Sequence, residues 1–217
     1  MKRYVVTSAA LALIAAGSTQ ARAATVTDAT GDFLPTYTGP LSADLDVTSF
    51  SVTYNSASMN FLLAASLAGA VDPAVAGLYV IGADTGTGTL APFAALGQGN
   101  VRFNQTIVLR KDGTGNVGAT TLDPGAITIS GNTISALVPL SLLPSTGFAP
   151  QNYGFNLWPR SGLGMNAQIS DFSPENATLA AVAPIPEPAT WGFMLLGFAA
   201  AGYRLRRRRA ITQLACA

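Results

Sequence analysis

The chain has 217 residues, 49% hydrophobic and 11% charged, with no His and a single Cys at position 216. Without an imidazole or an internal thiol it cannot build Ser-His-Asp or Cys-His catalysis, the usual zinc sites or an internal disulfide. Its charges are unevenly placed: Lys2, Arg3 and Arg22 lead, Arg204 and Arg206 to Arg209 trail, and between Ala24 and Pro186 ten acids face four bases, a net of −6. That acidic middle excludes nucleic acid as a partner, because neutralising phosphates needs Lys and Arg.

The N-terminus, "MKRYVVTSAALALIAAGSTQARA", has a basic start, an apolar stretch from Tyr4 to about Ala16 and an A-x-A site at Ala21 and Ala23. These are the three parts of a secretory signal peptide over residues 1–23, with cleavage before Ala24. Its run is short for a span of ~20 residues. Signal peptidase and the export machinery are the implied partners.

Residues 24–180 carry short β-branched or aromatic runs separated by Gly, Asn, Asp and Ser. "VTSFSVTY" places Phe50, Val52 and Tyr54 on one face. With "MNFLLAASL" after a turn at Asn55–Ser58 it predicts a hairpin. "GLYVIGAD" predicts a buried strand, and "VRFNQTIVLR" a strand before the turn "KDGTGN". "AITISGNTISALVP" predicts a second hairpin turning at Ser130–Asn132, and "LSLLPS" a single helical turn. "NYGFNLW" and "AQISDF" complete about eight strands, a number that points to an all-β, two-sheet, jelly-roll-like β-sandwich.

Several pieces, "DATGDF", "DLDVTSFSVTYN", "LYVIGADTGTG", "ISALVPLSLLP" and "YGFNLWPRSG", loosely resemble the secreted β-sandwich domains of the DOMON and family-9 carbohydrate-binding-module type. The resemblance implies a sandwich that binds sugars, haem or nothing known. The haem role does not carry over, since the chain has no His.

Two groups in this domain are candidate sites. Asp28, Asp32, Asp44 and Asp46 cluster in the first strand region and are candidates to supply oxygens to one Ca²⁺. The competing reading makes them solvated turn and strand-edge residues, and no EF-hand spacing is present. No other cofactor is expected. In "YGFNLW", Tyr153, Phe155 and Leu157 share one face of a strand and Asn156 and Trp158 the other. An exposed Trp158 beside Asn156 and Arg160 would suit stacking on a sugar ring. The competing reading is a Trp packed under a loop at a strand ended by Pro159. No pair of the ten acids has a spacing that favours glycosidase chemistry, so the body is expected to be noncatalytic.

The C-terminal part begins with a Pro-rich linker, 181–188. An apolar run follows, and at ~1.5 Å per residue Ala189–Tyr203 reaches about 22 Å, short of the ~30 Å hydrocarbon core. Extending the run to 205 brings in Arg204, which can snorkel. A transmembrane helix over 189–205 is expected, with residues 206–217 as a cytoplasmic basic tail held by Arg206, Arg207, Arg208 and Arg209. Trp191 and Tyr203 mark its two interfaces. Prolines on both sides of Glu187 forbid helix locally and favour an extended segment that a processing enzyme can grip.

Pro186-Glu187-Pro188-Ala189-Thr190-Trp191, the apolar helix and the arginines together resemble a PEP-CTERM protein-sorting signal, closest to the PEPxxWA subtype. Gly192 stands where that subtype usually has Ala, and "AITQLACA" continues past the arginines. The resemblance implies recognition and cleavage by an integral-membrane exosortase, with Pro186, Glu187 and Pro188 as recognition residues, after an inner-membrane intermediate. The implied destination is the cell surface or extracellular matrix, often alongside exopolysaccharide. The expected function is therefore an exported, exosortase-sorted protein with a noncatalytic sandwich body. The alternatives are a carbohydrate-binding module for exopolysaccharide and a secreted hydrolase.

Overall fold

The computed structural model describes residues 23–181, together with Met194 and residues 196–199. All the strands lie within one compact unit, Ala21–Pro184. Two antiparallel sheets make it up. The first runs in the order β1 (Ala24–Thr27), β2 (Val47–Asn55), β3 (Asn60–Leu67), β9 (Thr133–Pro139), β8 (Ile127–Ser130). The second runs β11 (Leu179–Ala180), β10 (Gly154–Arg160), β4 (Leu78–Asp84), β5 (Gln105–Arg110), β6 (Gly115–Val117), β7 (Thr120–Thr121).

The hairpins form where alternation and turn residues place them. β2 and β3 close on the pair Asn55–Asn60, and β8 and β9 on the pair Ser130–Thr133 around Gly131, whose φ of 57° suits glycine. The inward faces of the two sheets share one core: Phe50, Val52, Tyr54, Phe61 and Leu63 from the first meet Tyr79, Ile81, Ile107, Phe155 and Leu157 from the second. The expected helical turn appears as a 3-10 turn over Leu140–Leu142.

The second sheet is also covered on its other face. The long connection between β4 and β5, residues 85–104, folds Phe93, Val101 and Phe103 over Val80, Val108 and Trp158, with Ile169 and Phe172 closing the cluster. Both faces of β10 are therefore buried, and every one of its residues is buried. Pro159 does not end this strand, which continues through Arg160. The Pro159 carbonyl accepts from the N–H of Ser170 at 3.0 Å and from its hydroxyl at 2.9 Å.

"AQISDF" departs from the expected strand. It begins inside a 3-10 turn, Asn166–Gln168, and the chain then pairs with β10 through isolated bridges at Ile169 and at the following Ser173 rather than as a strand. The signal helix falls outside the described residues, apart from an exposed Ala23. The same is true of most of the expected transmembrane helix, of which Met194 and residues 196–199 are helical and exposed. Among the described residues no helix is long and apolar enough to cross a membrane.

Candidate functional site

The acids near the start of the domain are brought together with one far away in sequence. β1 ends at Thr27, and the Asp28 N–H donates to the Thr48 carbonyl at 2.9 Å. Thr48 is the extra residue of a bulge where β2 shifts register against β3, and bulges re-aim side chains in this way. Gly31, at φ 83°, turns the loop back so that its N–H donates to Asp46 Oδ2 at 2.7 Å. Asp46 sits at the junction between a 3-10 turn, Ala43–Leu45, and β2. Across from it, Asp171 accepts the Val47 N–H at 2.9 Å and the Phe172 N–H at 2.6 Å. The segment carrying Asp171 is pinned by the Ser170 hydroxyl on the Leu45 carbonyl at 2.7 Å and by the Leu34 N–H on the Ser170 carbonyl at 2.8 Å.

One carboxylate oxygen from each of Asp32, Asp46 and Asp171 lies within 4.8 Å of the other two. Asp46 and Asp171 are buried, Asp28 and Asp32 half-buried. Asp28 Oδ2, Asp32 Oδ1, Asp46 Oδ1 and the Ser173 hydroxyl are all buried without a hydrogen-bond partner. Burial pushes the Asp171 carboxyl up to about 7, with Asp28 and Asp32 adding to the shift and the two N–H donors opposing it. Burial likewise raises the carboxyls of Asp28 and Asp46. Carboxylates held this close without a counter-charge resist full ionisation.

Of the four candidate acids, Asp44 is a correction. It turns away into a buried ion pair with Lys111 at 2.5 Å, and it also accepts the Ser42 hydroxyl at 2.6 Å and the Asp72 N–H at 2.9 Å. The backbone changes from 3-10 at Asp44 to extended at Asp46, so the two side chains diverge although two residues apart. Asp171 takes its place in the cluster. Its signal in the sequence is an acid between Ile169 and Phe172, in a segment with no other charge.

For the Trp158 group the sugar-stacking reading is corrected and the competing one, a Trp packed under a loop, holds. Trp158 is 2% exposed, packed against Phe93, Phe103 and Phe172 with ring centroids 5.0 to 6.1 Å away. It presents no face to a sugar. Asn156 does share its side of β10, but its amide donates to the carbonyls of Pro174 at 2.6 Å and Ala177 at 2.9 Å. Arg160 donates to the carbonyls of Gly162, Gly164 and Met165. These polar groups brace two loops. A separate groove of about 520 Å³ lies between β7 and the β8–β9 hairpin, with Asn60, Thr120, Thr121, Asp123 and Ser141 among its lining residues.

At the proposed signal cleavage site, Ala21 lies outside the described residues, Ala23 is exposed and Ala24 is the first residue of β1. The sorting residues Pro186, Glu187, Pro188 and Trp191 and the stop residues Arg206, Arg207, Arg208 and Arg209 lie outside the described residues.

The body is thus a mostly-β protein of two antiparallel sheets. The chain carries a PEP-CTERM protein-sorting motif: residues 184–209 match the family model of that description. The motif marks a protein sorted through an exosortase, exported and associated with the membrane before display at the cell surface. No curated protein and no solved structure matches the chain.

Proposed function

We propose that this chain is made with a signal peptide over 1–23, crosses the membrane, is cleaved in its tail by an exosortase, and remains at the cell surface or in the matrix as a noncatalytic β-sandwich. The observation that carries this is the sorting motif at 184–209, set against where the body stops. The last strand, β11, ends at Ala180, and Ala181 is buried with its N–H on the Tyr153 carbonyl at 2.8 Å. Pro184, where the motif begins, lies past every strand among the described residues, so removing the tail takes none of these strands from either sheet. The same holds at the front, where cleavage after Ala23 leaves β1 whole. In favour of a noncatalytic body, Asn156 and Arg160 are engaged in holding loops.

Mass spectrometry of the surface-released protein, from cells with and without the exosortase, tests this reading. The expected product begins at Ala24 and lacks Arg206 to Arg209, and only in cells with the enzyme. A mature protein that keeps its arginines in both strains overturns it and makes the tail a permanent anchor.

Glycan binding is the second reading, supported by the hydroxyl-, amide- and carboxylate-lined groove beside β7. Affinity electrophoresis in exopolysaccharide gels would show retardation that Asp123→Ala or Thr121→Ala relieves. Unretarded parent protein removes this reading.

A further inference from the structure

We propose that Asp28, Asp32, Asp46 and Asp171, with the hydroxyl of Ser173, form a binding site for one calcium ion. The span of the oxygens fits: those of Asp32, Asp46 and Asp171 lie within 4.8 Å of one another, about twice a Ca–O distance of ~2.4 Å. One ion between them can touch all three.

The unpartnered atoms point the same way. Asp46 is 3% exposed, yet its Oδ1 has no hydrogen-bond partner. Ser173 is fully buried, and its hydroxyl, facing the Asp28 carboxylate, completes no hydrogen bond of normal geometry. Buried polar atoms are normally satisfied, and leaving one unpaired costs about 1–3 kcal/mol. Asp32 Oδ1 and Asp46 Oδ1 belong to acids whose oxygens come within 4.8 Å of one another and of Asp171, so one shared partner between them would serve both. A cation suits the place, because the one ion pair among the described residues joins Lys111 to Asp44 and no base pairs with these four acids.

The donors are all oxygen, which selects a hard cation over zinc or copper. Calcium accepts six to eight oxygens in irregular geometry, whereas magnesium demands a near-ideal octahedron at ~2.1 Å. Mixed contributions from a loop, a bulged strand start and a crossing segment suit the more tolerant ion.

Such an ion ties the loop 28–32 and the start of β2 to the segment 169–173. An unfolded chain does not hold these oxygens together, so binding adds directly to folding stability. The site stands independently of tail processing.

The test uses the full chain purified in detergent, stripped with chelator and titrated with Ca²⁺ or Mg²⁺ by calorimetry, with thermal melting followed by circular dichroism. One Ca²⁺ should bind per chain, in the ~10⁻⁴–10⁻³ M range of extracellular modules, and raise the melting temperature. Asp32→Asn should weaken binding at least about tenfold, as loss of a charged ligand does. It should not lower the calcium-free melting temperature, because Asp32 Oδ1 has no hydrogen bond to lose and the Asp32 charge repels Asp28, Asp46 and Asp171. Asp112→Asn, at an exposed turn acid, should change neither. A folded, stripped protein that neither binds Ca²⁺ nor melts higher in its presence overturns the proposal. So does unchanged affinity in Asp32→Asn, or Mg²⁺ binding as tightly as Ca²⁺.

Discussion

Gly82 has no side chain where Trp158 needs room. A Cβ on Gly82 would lie 2.7 Å from Trp158 Cη2 and 2.9 Å from Phe103 Cβ, closer than packed carbons tolerate. Gly82→Ala should therefore cost about 1–3 kcal/mol as overpacking. Trp158→Ala should cost about 3–5 kcal/mol by opening a cavity among Phe93, Phe103 and Phe172. Urea unfolding followed by circular dichroism reads both. A Trp158→Ala variant as stable as the parent would show that the second core carries no load. The division of faces along β10 was legible in the sequence, because alternation alone puts Phe155 and Leu157 opposite Asn156 and Trp158. What covers Trp158 was not. Its lid comes from the 85–104 connection, whose Phe93 and Phe103 are adjacent to it only in space.

At the scale of elements, the Asp44–Lys111 pair clamps three pieces. Asp44 lies in the 3-10 turn before β2, Lys111 follows β5, and the Lys111 ammonium also donates to the carbonyls of Asp72 at 3.1 Å and Val75 at 3.0 Å. Burial alone would raise the Asp44 carboxyl. Lys111, Ser42 and the Asp72 N–H outweigh that and hold it below the usual carboxylate range. A lowered folded value means stability that is present above the unfolded value of ~4 and is lost as pH falls through the folded one. Lys111→Met leaves a buried charge unpaired and should cost about 3–5 kcal/mol at pH 7. The gap between parent and variant should narrow below about pH 4, where Asp44 is protonated in the unfolded chain. Urea titrations at both pH values check this, and a gap that widens in acid contradicts it. The hairpins β2–β3 and β8–β9 were readable, since each combines period-two alternation with local turn residues such as Gly131. The partition of Asp44 from Asp46 was not, because it depends on a 3-10 turn ending between them. Asp171 was also missed as a member of the cluster: its partners lie across a non-local contact that no local pattern encodes.

For the whole molecule, every strand among the described residues lies between Ala24 and Ala180. β1, the first of these strands, touches β11, the last. A chain trimmed to residues 24–181 should fold unaided and melt within a few degrees of the full chain in matched buffer, because no strand is lost. A trimmed chain that aggregates or melts much lower would show that the flanking segments support the body. The two-sheet architecture was visible from strand number and spacing. The second, smaller core on the outer side of one sheet was hidden, because Asn156 and Arg160 give that side of β10 the polar residues of an exposed face, although both are buried against loops.

The bond from the Val47 amide to Asp171 spans 124 positions. On the proposed route the polypeptide emerges leader-end first, so the early acids reach the outside long before their last companion. The clasp shuts only once nearly all of the body has arrived, and the next stretch to appear is the sorting address beginning at Pro184. Completion of the cargo and presentation of its label are thereby set in sequence by nothing more than the order of residues along the thread.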